Sequence, residues 1–233
     1  MEKNFDICLK WLRNHEGGVT NHPESDRGGL TNLGVTHEEY DRYRRFKGLP
    51  LRSVTLIEDD EVRDIYHTFY WKVIQGPILP SGVDNVIFDM AVNNGVVGAA
   101  KAAQRVANKL LLSRLREGGE AMGKSIAVDG HLGPISVDAI DDCPEVAFID
   151  AFCDERLRVD RTFWNWGANG GGWTNRVNGN PHDKHNLLGV RGESKSIISP
   201  VAKTQKPILV ATISGPSFWG RIVSSLANYF RQR

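Results

Sequence analysis

The stretch Val83–Asn94, reading VDNVIFDMAVNN, constrains the fold more than any other part of the chain. It is apolar around its circumference except at Asp84, Asn85, Asp89 and the closing pair Asn93-Asn94. A helix without a solvated face has to be surrounded by other elements. The rest of the chain must therefore supply a shell of helices around this one. With 233 residues there is enough chain for a sizeable core, arranged as one large domain or two small ones.

The shell is legible in outline. Phe5, Cys8, Leu9 and Leu12 recur at helical spacing, with Ile7 and Trp11 widening the stripe, which predicts a helix over residues 4–15. Gly17-Gly18 supplies its left-handed exit. Residues 19–35 hold too much Gly, Asn and Asp for a helix and read as a short hairpin or irregular lobe. Thr36, with Glu39 three residues on, predicts a capping box opening a helix with an aromatic face of Tyr40, Tyr43 and Phe46. Thr55 and Glu58 repeat the signal before the acidic turn Asp59-Asp60-Glu61. Val62, Ile65, Tyr66, Phe69 and Val73 then carry a buried stripe to Gly76-Pro77. A further helix is expected over 99–112, a short one behind Pro134, and a long one from Pro144 to about Phe163. The run Trp166-Gly167-Ala168-Asn169-Gly170-Gly171-Gly172 predicts a loop.

The chemistry is concentrated near the first helix end. Glu16 stands where the helix dipole disfavours negative charge and raises a carboxyl pKa, a direction that suits a general acid. Asp26 follows ten residues later and Thr31 fifteen, within reach of one hairpin folded back over that end. Glycosidic hydrolysis needs one carboxyl to protonate the leaving oxygen and a second polar group to steer water or stabilise the sugar cation. Asp26 serves equally as a turn residue bonding its own backbone. Asp89, on a buried helix, reads as a hydrogen-bonded structural acid. Tyr70 and Trp71 either line a sugar cleft or fill the core, and Asn93 and Asn94 either meet N-acetyl groups or close a helix.

Glu16-Gly17-Gly18 and Asp26-Arg27-Gly28-Gly29-Leu30-Thr31-Asn32-Leu33-Gly34-Val35-Thr36 together resemble the glycoside hydrolase family 108 muramidases of phage endolysins and secretion-associated lysozymes. Tyr70-Trp71, Phe88 to Gly95, Val128 to Pro134 and Gly172 to Val177 follow in family order, so the resemblance spans roughly residues 4–180. It implies a predominantly helical α+β fold, with a lysozyme-like catalytic half carrying a small β-hairpin lobe over residues 1–95. A helical, peptidoglycan-binding-like half over 96–189 and a basic tail over 190–233 complete the expected organisation. It implies Glu16, Asp26 and Thr31 as catalytic residues, and Thr36, Tyr70, Trp71, Asn93 and Asn94 as substrate-binding. The implied reaction is hydrolysis of the β-1,4 bond between N-acetylmuramic acid and N-acetylglucosamine. A lytic transglycosylase using Glu16 alone, or a non-catalytic wall-binding module, are the rival readings.

Charge and cysteine content complete the picture. From Val190 onward seven Lys or Arg face one acid, giving +6, while residues 1–189 carry −5 against an overall +1. Such a tail points toward an anionic surface. Residues 218–233 place Phe218, Trp219, Ile222, Val223, Leu226, Tyr229 and Phe230 on one helical face beside arginines, a pattern for an anionic membrane or lipopolysaccharide, or for docking on the body. Cys8, Cys143 and Cys153 have no metal-ligand spacing, and Cys8 and Cys153 read as buried thiols. His182-Asp183-Lys184-His185 lacks further ligands and reads as a solvated loop. No cofactor, no metal and no nucleic-acid partner is expected. The partner is the peptidoglycan glycan strand, and a monomer is expected. The opening residues lack a secretory signal pattern. The expectation is synthesis in a bacterial cytoplasm and action on the wall after holin-type or other signal-independent export.

Overall fold

The computed structural model describes residues 1–15, 30–116 and 125–198. The central element is α4, Val83–Asn94, in which every residue from Val83 to Ala91 is buried. Around it pack α1 (Phe5–His15), α5 (Val96–Arg116), α7 (Glu145–Asp160) and α9 (Gly189–Ser196). The circumferentially apolar sequence thus does what it must: a helix exposing apolar surface on all sides gains about 1.5–3 kcal/mol for each large side chain it buries. Residues Met1–Ser199 form one compact unit. The fold is predominantly α-helical, α+β in class, with a single two-stranded hairpin among the described residues.

That hairpin pairs β1 (Thr31–Asn32) with β2 (Val35–Thr36) in antiparallel register, Thr31 opposite Thr36 and Asn32 opposite Val35. The two residues between, Leu33 and Gly34, both have positive φ, 52° and 81°. This is the primed turn whose twist suits a tight hairpin. Leucine in the left-handed region costs about 1 kcal/mol or more, so the surroundings must hold it. They do: Asn32 donates to the carbonyl of Val54 at 3.2 Å, and the Tyr66 hydroxyl donates to the carbonyl of Gly34 at 3.3 Å.

The hairpin leads into α2 (His37–Phe46), which is tied to α3 (Asp59–Tyr66) through two carboxylates, Glu61 and Asp64, the latter accepting from the Tyr43 hydroxyl at 2.9 Å and pairing with Lys47 at 2.6 Å. Glu61 accepts from the Tyr40 hydroxyl, Arg44 and Arg52, each at 2.7 Å. It also takes the N–H of Glu58 at 3.1 Å. Glu58, not Thr55, therefore caps α3, and Ser53 caps a separate 3₁₀ turn over Val54–Leu56. α3 runs on into a π-helical turn, His67–Trp71.

Beyond Gly95, α5 is followed by α6 (Pro134–Asp141), α7 and α8 (Trp166–Asn178). α8 occupies the stretch expected to be a loop. Four interior glycines, each about 1 kcal/mol worse than alanine in a helix, are overridden by tertiary contacts. Val177 is fully buried, and the Arg176 guanidinium donates to Asp89 of α4 at 2.7 Å. Gly170 fits closely, since a Cβ there would lie 2.6 Å from the Trp166 ring. All three cysteines are buried free thiols, and burial pushes the Cys153 thiol up to about 12.

Candidate active site

Glu16 and Asp26 both fall within residues 16–29, outside the described residues. The described structure fixes the two ends from which that segment springs. At one end α1 finishes at His15, whose side chain is buried and bonds Glu193 of α9 through Nε2 at 2.8 Å. Glu16 is the next residue in the sequence. At the other end stands Thr31, first residue of the hairpin.

Thr31 and Thr36 are a directly opposed cross-strand pair, and such pairs share a face. Alternation puts Val35, which is fully buried, on the other face. Both threonines therefore occupy the face of the hairpin turned away from the core, and both are half-buried. Thr36 also accepts the N–H of Glu39 at 3.2 Å, which caps α2. The second half of the expected capping box is replaced. The Glu39 carboxyl accepts the Tyr70 hydroxyl at 2.6 Å instead. Burial raises the pKa of Glu39, with the Tyr70 hydrogen bond and Arg42 opposing.

Thr36, Glu39 and Tyr70 thus join the hairpin to the π-helical turn as one polar cluster beside the hairpin. Sequence reading placed Thr36 and Tyr70 here and missed Glu39 as a site carboxyl, because its spacing from Thr36 already had a structural explanation. Trp71 departs from expectation. It is 0 % exposed, packed edge-on against Phe88 at 5.4 Å and beside Phe5, so it fills the core and no sugar can reach it. Tyr70 and Trp71 are adjacent on a helical turn, and only one of them can face outward.

Asn93 and Asn94 close α4 ahead of Gly95, whose φ is 81°. Asn93 is exposed and donates to the carbonyl of Asp89 at 2.7 Å. Asn94 donates to Asp160 at 2.7 Å. Beneath them lies a buried ionic network. Asp89 accepts from Arg156 at 2.5 Å and from Arg176 at 2.7 Å. Burial alone would push the Asp89 carboxyl up, but the two guanidiniums outweigh it and hold the group well below the ordinary carboxylate range. Asp160 goes the other way: burial raises it despite Arg156 and Asn94. Asp89 is therefore a structural anion that ties α4 to α7 and α8, as its position on a buried helix predicts. The network also fixes Arg176, a residue with no periodic signature in the sequence.

This frame matches known proteins. Residues 9–95 match glycosyl hydrolase 108, a span that runs from α1 through the hairpin and α4. Residues 9–95 are similar to the glycosyl hydrolase 108 family. The glycosyl hydrolase 108 match contains Glu16, Asp26, Thr31, Thr36, Tyr70, Asn93 and Asn94, and ends at the glycine separating α4 from α5. The fold is also similar to that in the structure of Brucella abortus SagA, with 26% sequence identity and a TM-score of 0.63. That similarity covers 84% of this chain and 97% of the other. No curated protein matches the chain by sequence. The likeness to SagA extends well beyond residues 9–95.

Proposed function

We propose that this chain is a peptidoglycan N-acetylmuramidase, cleaving the β-1,4 bond from N-acetylmuramic acid to N-acetylglucosamine with Glu16 as general acid. The observation that carries the reading is the anchored pair of termini on either side of residues 16–29. α1 ends at a buried His15, the residue before Glu16 in the sequence, and the hairpin presents Thr31 and Thr36 on its outer face. A carboxyl at a helix C-terminus has its protonated form favoured by the dipole, which is the state needed to donate to a leaving oxygen.

Asp26 takes the second role in this proposal, activating water on the opposite ring face, with Thr31 orienting that water. In an inverting arrangement the two carboxyls stand about 6.5–9.5 Å apart, leaving room for the water. Thr36, Tyr70, Asn93 and Asn94 offer hydroxyl and amide groups for the sugar, and Tyr70 brings an aromatic ring beside its hydroxyl. Cationic, aromatic residues 218–233 add an affinity for anionic membrane or lipopolysaccharide.

Mass spectrometry of products from purified peptidoglycan tests the reading. Hydrolysis gives reducing muramic ends. Anhydro-muramic ends would instead establish a lytic transglycosylase, and an unaltered wall would leave a binding module.

A further inference from the structure

We propose that Glu39 is a substrate-binding carboxylate: the Tyr70 hydroxyl fixes one of its oxygens, and the other accepts a hydrogen bond from an N–H or O–H group of the glycan. The proposal rests on the muramidase reading and adds a contact to the same site, on its hairpin side.

Glu39 stands three residues after the N-cap Thr36, where a glutamate ordinarily turns back to the N-cap backbone N–H. α3 has that arrangement, with Glu61 accepting the N–H of Glu58 at 3.1 Å. In α2 the Glu39 side chain reaches across to the π-helical turn instead, where its Oε1 accepts the Tyr70 hydroxyl at 2.6 Å. That is the short length of an O–H bond to an ionised oxygen. The Glu39 backbone N–H is held by Thr36 at 3.2 Å, and Thr36 pairs across the hairpin with Thr31. The backbone of Glu39 and one of its carboxyl oxygens are therefore both fixed.

The other oxygen is unused. An ionised carboxylate has about four acceptor sites, and Glu61 fills its own with Tyr40, Arg44, Arg52 and the Glu58 N–H. Oε2 of Glu39 meets no donor among the described residues. Nor is it sealed in, since the enclosed side-chain atoms left without partners there belong to His15, Asp41, Arg156 and Asn186. Charge is unanswered as well. Of the carboxyls that burial raises, Asp84 meets the N-terminal ammonium and Asp160 has Arg156 at 3.7 Å, while Glu39 has no ion pair. Arg42, the cation that acts on it, lies over the Phe69 ring at 4.0 Å. A half-buried carboxyl kept without a counter-charge costs stability, and groups of that kind collect at functional positions.

The chemistry of the free oxygen selects its occupant. An ionised carboxylate accepts and cannot donate, so the partner must bring a proton and carry no negative charge at that point. The amide N–H of an N-acetyl group and the hydroxyls of a sugar ring both qualify, whereas carboxylates and phosphates are repelled. A bond to a charged acceptor is stronger than one between neutral groups, so removing the charge weakens the contact even where an acceptor oxygen remains. The charged and titratable groups acting on Glu39 are Arg42 of its own helix and Tyr70 of the π-helical turn, and the hairpin contributes the neutral Thr36. Neither Arg42 nor Tyr70 titrates in the carboxyl range, so a pH dependence of this contact in acid belongs to Glu39.

The test compares the full chain with Glu39→Gln, which keeps the shape and an acceptor oxygen and removes the charge. On purified peptidoglycan at pH 7, KM should rise about five- to tenfold with kcat within about twofold of the parent, the signature of lost uniform binding. Tm at pH 7 should equal or exceed the parent's. A carboxyl whose folded pKa is raised contributes its stability at low pH and loses it as pH rises through that pKa, so at neutral pH the charge is a burden on the fold. On acidification the parent's KM should climb toward the variant's, closing the ratio. An unchanged KM, a ratio constant with pH, or a loss confined to kcat would overturn the assignment. A variant melting well below the parent would make Glu39 a structural residue and overturn it too. In each of these cases reducing muramic ends among the products leave the muramidase reading standing. A parent chain that releases no muropeptides would instead refute that reading, and this assignment with it.

Discussion

Replacing Asp89 with asparagine should destabilise the fold severely, and its size follows from the network. Asp89 is 2 % exposed and receives Arg156 at 2.5 Å and Arg176 at 2.7 Å. Arg156 is itself 4% exposed, and its remaining carboxylate, Asp160, lies 3.7 Å from its Nε. The substitution keeps the shape and removes the charge, leaving a buried guanidinium without adequate compensation. Breaking a buried pair in this way costs about 3–5 kcal/mol. For a chain of this size each kcal/mol lowers Tm by about 2–4 °C, so a fall of about 6–20 °C is expected at pH 7 by circular dichroism. The pH dependence has a definite sign. Because the folded Asp89 carboxyl is held below its ordinary value, its contribution is complete above the unfolded pKa of about 3.9 and is lost as pH falls toward the folded pKa. The gap between parent and Asp89→Asn should therefore narrow on acidification below about pH 4. A Tm within about 2 °C of the parent at pH 7, or a gap that widens in acid, would refute the reasoning.

Two further outcomes bear on the second half of the fold. Gly171→Ala, in open space on α8, should raise stability by about 0.5–1 kcal/mol, while Gly170→Ala should lower it because its Cβ would meet the Trp166 ring at 2.6 Å; paired thermal melts decide. A chain ending at Gly189 should melt well below one ending at Ile198. The shorter chain loses buried Val190, the Glu193–His15 bond at 2.8 Å and the Ser194–Asn85 bond at 2.8 Å.

Much of this was readable from the residues. α4 announced itself because twelve residues without a polar face can only be central, α1 because of its apolar spacing, and α2 because its aromatic face and its Thr36 cap agree. The hairpin was readable as a non-helical lobe, but the left-handed Leu33 was not, since its backbone is held by Asn32 and Tyr66 from other elements. α8 was misread because local propensity counts four glycines and cannot count Asp89, 87 positions away, which binds Arg176. The end of the body was placed too early for the same reason. α9 looks like the start of a basic tail, yet Glu193 reaches back 178 residues to His15, and Arg191 pairs with Asp150 and Asp154 of α7. At the site, residue types pointed to Thr31, Thr36 and Tyr70, while the burial that raises Glu39 and encloses Trp71 arises only from packing.

The central claim is that Glu16 supplies the proton to the departing sugar. Its most direct test is the rate of muropeptide release from purified peptidoglycan by Glu16→Gln, read beside Glu39→Gln, the carboxyl near the hairpin that burial raises. The account predicts that Glu16→Gln folds with the parent's Tm and loses at least about a thousandfold in rate, while Glu39→Gln retains measurable hydrolysis with the same reducing-end products. A Glu16→Gln enzyme keeping a tenth of the parent's rate, or Glu39→Gln alone abolishing release in a folded protein, would contradict it.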